Sequence, residues 1–294
     1  MIAFCTSLRA RALSNDWAYH AWLLEVTAAS MLAQTRGDIC VVVGCHDIPD
    51  SPLASNPRVR FVPVSVAEPQ KTNDAMIGDK VLKLSAGARW AIANGCNYIV
   101  FNDADDLVSN RIGAFVDANR GGNGWYNASQ RFYTYGGQLM RLQHIAGDAA
   151  GPCVIVRSDL LAFARPPFRG AWVDRTVADG EQDYLALLAR QNVEVSELAA
   201  VGLGHYRAYM AERGTPLSPL PFAGNVVINH QDSMSTAGGV HGYQPISSLG
   251  ALKRSVRWLP TLRWASSATR REFSIPPNSE IPAAYRGGAS VFWR

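Results

Sequence analysis

Apolar residues along this chain fall into short unbroken runs, separated by longer stretches in which they recur every three or four positions. The runs are Ile2 to Thr6, Ile39 to Val43, Val59 to Val64 and Tyr98 to Phe101. Each has strand length and is too continuously apolar for a sheet wet on one face, so parallel strands covered on both sides are predicted. Between the first two runs, Trp17, Ala21, Leu24, Ala28 and Met31 keep helical spacing, and a second helix is predicted over about Lys80 to Ala93. Gly37-Asp38 and Asn94-Gly95 close these helices, because glycine tolerates the left-handed conformation that a helix end needs. Alternation of this kind spells βαβ units in an open α/β sheet.

Beyond Phe101 the pattern changes. Arg131 to Arg141 predicts a hairpin around Gly136-Gly137, Gly151 to Val156 another strand, and Gly180 through Leu188 a helix with Tyr184, Leu187 and Leu188 on one face. The Pro/Gly-rich stretch Gly214 to Gly224 is expected to be a mobile loop, and the poorly patterned chain from Ser274 onward an extended tail. The expected fold class is α/β: a parallel, Rossmann-like half (1–106), an α+β half on its edge (107–245), and a basic C-terminal helical appendage with its tail (246–294).

Composition narrows the class. With 294 residues and 48% hydrophobic content, the chain can bury a full core. No stretch approaches the roughly 20 apolar residues of a membrane span, and Met1 to Ala12 lacks the apolar segment of a signal peptide, so a cytoplasmic location is expected. Cys5, Cys40, Cys45, Cys96 and Cys153 sit in or beside apolar runs with no Cys-x-x-Cys spacing, which points to buried thiols rather than disulfides or a zinc site. The net charge is only +4, but Lys253, Arg254, Arg257, Arg263, Arg270 and Arg271 share 253–271 with Trp258 and Trp264 and no acid. That segment suits peripheral contact with an anionic membrane surface or nucleic acid, and equally the solvated face of a packed appendage.

The chemistry concentrates at Asn102-Asp103-Ala104-Asp105-Asp106, directly behind the Tyr98 to Phe101 strand. Open α/β sheets bind ligands at the carboxyl ends of their strands. On an extended chain Asp103 and Asp105 face one side while Asp106 points away. Such a pair suits a hard divalent cation, which takes oxygen ligands and can bridge a carboxylate to a diphosphate. The plainer alternative is that Asp105, Asp106 or Ser109 caps the following helix.

Three segments recur in order: Tyr98-Ile-Val-Phe-Asn-Asp-Ala-Asp-Asp106, Gly151-Pro-Cys-Val-Ile-Val-Arg-Ser-Asp-Leu-Leu161, and Gly180-Glu-Gln-Asp-Tyr-Leu-Ala-Leu-Leu-Ala-Arg190. Over roughly residues 1–236 this order resembles the GT-A-fold glycosyltransferases, most closely the inverting family 2 group with its Asp-x-Asp-Asp motif. The resemblance implies a Mn²⁺ or Mg²⁺ ion on Asp105 and Asp103 and a nucleoside diphosphate sugar as donor, UDP-linked by default. It also implies transfer to an acceptor hydroxyl, with Asp183 as general base. Gln182 interrupts the family's Glu-Asp pair, so Glu181 is the other candidate base; a negatively charged first helical turn is the plain explanation for both. Val226 to Ser235 resembles the late segment that supplies a third metal ligand, here His230, with His205 in Gly204-His-Tyr-Arg-Ala208 as the competing match. Thr6, Arg9 and Arg11 leave the first strand where the family meets base and ribose. Lys83, ahead of Lys80, is expected near the nucleotide, and Asp47 and Asp50 are weaker candidates for base or ribose.

A retaining transferase of the same fold is a close variant. A metal-dependent nucleotidyltransferase also places aspartates on an α/β sheet, but Thr6 to Leu13 lacks the glycine-rich phosphate loop expected of one. A catalytically dead binding module would bind nucleotide without transfer. The family's default acceptor is a saccharide or lipid-linked saccharide; a protein or a modified nucleic-acid base fits the same chemistry. Trp125, Tyr126, Phe132, Tyr133 and Tyr135 offer either an acceptor platform or a hairpin core.

Overall fold

The computed structural model describes residues 1–145, 153–166, 184–201, 205–228 and 259–286. Four parallel strands form the first half of a seven-stranded sheet: β1 (Ile2–Ser7), β2 (Ile39–Cys45), β3 (Val59–Pro63) and β4 (Tyr98–Phe101), side by side in the order β3-β2-β1-β4. The strand predictions hold to within two residues at each end. Successive strand residues point to opposite faces, and both faces are covered. Ala3, Cys5, Val42, Ile99 and Phe101 pack under α2 (Asn73–Ala93), while Phe4, Val41, Val43, Tyr98 and Val100 pack with Leu24, Ala28 and Met31 of α1 (Trp17–Leu32).

The α1 helix starts where Asp16 accepts the Tyr19 N–H at 2.9 Å. The α2 helix starts earlier than Lys80, because Thr72 caps it by accepting the Ala75 N–H at 3.3 Å. The cap, not the apolar repeat, sets that boundary. Its backbone also lies close on β2: a Cβ on Gly44 would overlap the Lys83 carbonyl. Among the described residues no helix is long and apolar enough to cross a membrane, and all five cysteines are buried thiols.

The sheet continues antiparallel. β9 (Val154–Arg157) pairs with β4, and β6 (Gly124–Tyr126) with β9; β12 (Ser218–Pro219) then adds parallel to β6. Of the helix predicted from Gly180, the described part is α4 (Tyr184–Arg190); β10 (Phe163–Ala164) and β11 (Val195–Ser196) form a small pair of their own, and α5 (Glu197–Val201) follows β11. A second sheet holds β5 (Leu107–Val108), the hairpin β7 (Ser129–Tyr133) and β8 (Leu139–His144), and β13 (Asn225–Ile228). The hairpin turns at Gly136, whose φ of +86° only glycine adopts readily.

Three expectations are corrected. The stretch 214–224 is not simply a loop: it carries β12, and buried Leu220 donates its N–H to the Tyr126 carbonyl. The described part of the C-terminal segment is not helical throughout: β14 (Leu262–Trp264) extends the second sheet beyond β8 ahead of a short helix, Ser267–Glu272, whose Arg270 guanidinium donates to the Gly137 carbonyl. The tail, described to residue 286, is not simply extended: it turns through a short 3-10 helix at Ala283–Tyr285, and Ile275 and Ile281 are buried with Phe273, Tyr133, Met140 and Ile228 in that sheet's core. Apolar residues spaced too irregularly for a helix or strand are still buried by docking singly.

Candidate active site

Strand order reverses beside β1: the chain runs outward from β1 through β2 to β3 and then returns through α2 to β4 on the other side of β1. In an open parallel sheet this switch opens a crevice at the carboxyl ends of the two strands. The acidic turn lies there. Asn102 donates its N–H to the Cys5 carbonyl at 3.1 Å, continuing the β1–β4 pairing, and its side-chain amide donates to the carbonyls of Asp103 and Asp106, both at 2.9 Å. One buried amide thus folds 102–106 into a closed turn.

The chain turns through 103–106 instead of running extended, so strand alternation does not set the direction of these aspartates; burial is what divides them. Asp106 turns inward, 3% exposed, and accepts the Ile228 N–H at 3.1 Å and the Asn225 side-chain amide at 3.4 Å. Burial pushes its carboxyl well above the ordinary range, and the charges of Asp105 and Asp103 add to this. Asp103 and Asp105 are half-buried. None of these carboxylates caps a helix: the chain continues into β5, and α3 (Ile112–Ala118) begins after Arg111 with no side-chain cap. Ser109 does not cap it either; its hydroxyl accepts the Arg111 N–H and donates to Glu272.

Lys80 of α2 is ion-paired with Asp103. Burial works against its charge, and the Asp103 carboxylate outweighs that, with Tyr206 and Asp105 adding, so the ammonium is held above its ordinary pKa. Tyr206 is buried at the start of α6 (Tyr206–Glu212), and His205 precedes it, exposed.

Lys83 requires a correction. Its side chain is 0% exposed and its ammonium donates to the Leu8 carbonyl at 2.8 Å and to Asp79 at 2.5 Å, so it cannot also reach a nucleotide. Burial lowers its pKa, with Asp79 opposing the shift. Asp79 also meets His46 Nε2 at 2.8 Å. This network ties the loop after β1 to α2 and β2. Asp47 is likewise engaged, accepting the Arg11 N–H at 3.0 Å; Arg11 and Asp50 are exposed and Arg9 half-exposed.

Among the described residues, Thr6 Oγ1 on β1 and Asn102 Oδ1 after β4 are buried with no hydrogen-bond partner. Buried polar groups are rarely left unpaired, and these two lie near the carboxyl ends of the switch-point strands. Tyr135, inside the second sheet's core, leaves its hydroxyl unpartnered as well.

Asp183, Glu181 and His230 lie outside the described residues. Their neighbours are fixed. Tyr184 is buried, donates its hydroxyl to the Ala67 carbonyl at 2.9 Å and packs on α2 at Gly78, where a Cβ would come within 2.9 Å of its ring. Ile228, two residues before His230, is the N–H donor to Asp106. Among the described residues no three His, Cys, Asp or Glu side chains cluster as a metal cage. The donor set present, two carboxylates on one turn, is the hard-oxygen kind that Mg²⁺ or Mn²⁺ takes alongside phosphate oxygens and water.

A cavity of about 430 Å³ lies elsewhere, at the amino ends of β1 and β4. Its Arg120 and Arg157 are already paired with Asp117 and Asp159. The acidic turn, at the opposite end of these strands, has the strand polarity and the unpaired buried groups of a ligand site.

Comparison with known proteins gives remote likenesses. No protein-family model and no curated protein matches the chain. Among solved structures, TarS 1–349 of S. aureus in complex with UDP-GlcNAc superposes with a TM-score of 0.42 at 11% identity, covering 80% of this chain and 60% of that one. The galactosyltransferase LgtC, in complex with donor and acceptor sugar analogs, gives 0.34 at 13%, covering 97% and 99%. A nucleotidyl transferase from Methanothermobacter thermautotroptrophicus gives 0.32 at 17%, covering 73% and 96%. The chain spans about three fifths of the TarS structure's length. At these scores the function is argued from the chain's own residues.

Proposed function

We propose that this protein transfers a sugar from a nucleoside diphosphate sugar, UDP-linked by default, to an acceptor hydroxyl. The observation that carries the reading is the Asp103–Asp106 turn at the switch point between β1 and β4, capping no helix and flanked by the unpaired buried atoms of Thr6 and Asn102. Departure of the diphosphate builds negative charge, and a fixed positive charge beside it lowers the barrier. A divalent cation held by Asp105, with Asp103 and His230 as the other ligands the family resemblance suggests, would supply part of that charge. Lys80, already at this turn, supplies an ammonium.

Asp183 is assigned as general base, taking the proton from the acceptor hydroxyl, with Glu181 as its alternate. The contacts of Tyr184 support this, since they hold the residue after Asp183 against the helix that carries Lys80. Inversion at the anomeric carbon follows from a base that activates the attacking hydroxyl directly. The acceptor is assigned by class only, as a saccharide or lipid-linked saccharide.

The test is Asp183→Asn. Turnover falls by about 10² to 10⁴ while nucleotide binding is retained, the weight of one general base. Unchanged turnover removes Asp183 from the mechanism, and a product of retained anomeric configuration removes the inverting assignment.

A further inference from the structure

Asp79 stands at the centre of a buried charge network that the proposed transfer does not use. Its two carboxylate oxygens meet different partners, His46 Nε2 at 2.8 Å and the Lys83 ammonium at 2.5 Å. The His46 and Asp79 side chains are each 7% exposed, and Lys83 is fully buried. A carboxylate only accepts hydrogen bonds, so Asp79 assigns the ring hydrogen of His46 to Nε2. Nδ1 of the neutral ring then carries the lone pair, and it has no partner among the described residues. A carboxylate that fixes one imidazole nitrogen in this way makes the other a directed acceptor.

His46 directly follows β2, at the carboxyl edge of the parallel strands. The acidic turn follows β4, two strand spacings away across β1, which is about 10 Å. On its other side the turn is backed by the second sheet, where Asp106 accepts from Ile228 and Asn225. A nucleoside diphosphate anchored by its phosphates at the turn therefore runs its nucleoside over β1 toward β2, and the interval suits a ribose with one phosphate.

Resting on the sugar-transfer reading, we infer that His46 selects the donor's base. Its Nδ1 accepts the ring N–H that uracil, thymine and guanine carry. Cytosine and adenine present a second lone pair there instead, and the acceptor left unpaired costs roughly ten- to a hundredfold in affinity. Asp79 and Lys83 are the positioning residues that hold the ring in this tautomer.

The experiment measures binding of UDP, dTDP, GDP, CDP and ADP in Mn²⁺ by calorimetry at mildly alkaline pH, on the wild type, His46→Phe and Asp79→Asn. Histidine ¹⁵N resonances are recorded on the same proteins, with and without the diphosphate that binds best. One of UDP, dTDP and GDP binds the wild type at least about tenfold more tightly than either CDP or ADP, the weight of one buried hydrogen bond, and the His46 Nδ1 resonance moves when it binds. His46→Phe keeps a ring of similar size and brings the five diphosphates within about threefold, less than one hydrogen bond. Asp79→Asn keeps its oxygen on Lys83 and turns its amide N–H to His46, which moves the ring hydrogen to Nδ1 and the preference to CDP or ADP. The inference is overturned, with the sugar-transfer reading intact, if the wild type binds CDP or ADP as tightly as the other three, if His46→Phe keeps the wild-type discrimination, or if Asp79→Asn moves the ring hydrogen without changing the preference. An Nδ1 resonance that stays in place on binding overturns it as well, a readout on the wild type that holds even where a variant fails to fold. Absence of binding of every diphosphate to the wild type overturns both.

Discussion

Replacing Asp106 by alanine should unseat the second sheet from the acidic turn. Its carboxylate is the acceptor for the Ile228 N–H and for the Asn225 amide, both buried. Losing it orphans two donors at about 1–3 kcal/mol each, so the expected cost is roughly 4 kcal/mol. In a chain of 294 residues that lowers Tm by roughly 6 °C, measured by calorimetry beside urea midpoints. The pH dependence gives a sharper assay. Burial raises the folded-state pKa of Asp106, so between the unfolded value of about 3.9 and the raised value the folded protein binds more protons. Its contribution to stability is therefore favourable at mildly acid pH and falls as pH rises through that window. Asp106→Asn cannot ionise, and should remove this slope while keeping an oxygen for the Ile228 N–H. A stability difference between wild type and Asp106→Asn that stays constant from acid to neutral pH would refute the assignment, as would a cost for Asp106→Ala below about 0.5 kcal/mol, the scatter of ordinary surface substitutions.

Gly44→Ala should destabilise by about 1–3 kcal/mol, because the added methyl meets the Lys83 carbonyl and forces α2 away from β2; an unchanged urea midpoint would contradict that packing. Lys83→Met keeps the stem but strands the Leu8 carbonyl and leaves Asp79 without its ammonium, though still with His46, at a cost of about 1.5–3 kcal/mol. If Lys83 only positions the loop after β1, amide exchange at Leu8 to Arg11 should quicken while cation affinity at Asp105 is unchanged. A large drop in that affinity would mean that Lys83 acts at the site itself.

Much of this architecture is legible in the sequence because it rests on local patterns. The continuous apolar strands and the turn at Gly136 both follow from periods and glycine positions read along the chain. What was not legible depends on partners brought together by folding. Thr72 sets the start of α2 through a side-chain cap, well ahead of Lys80, where the apolar spacing becomes helical. Lys80 and Lys83 look alike in sequence, one turn apart, yet one meets Asp103 and the other is buried on Leu8 and Asp79. No rule of composition separates them; the sheet geometry does. Asn102 adjoins the aspartates, but nothing in the sequence marks its side-chain amide as the group that closes their turn. The buried tail residues Ile275 and Ile281 gave no periodic signal because each docks singly into the core.

The most direct test of the central claim is nucleotide release from a panel of nucleotide sugars, with Mn²⁺, Mg²⁺ or chelator, beside Asp105→Ala and with donor binding measured in the same samples. The account predicts slow hydrolysis of one donor, faster with metal and lost in Asp105→Ala. A wild-type protein that neither turns over nor binds any donor would contradict it, and would leave the Asp103–Asp106 turn as a structural joint between the two sheets.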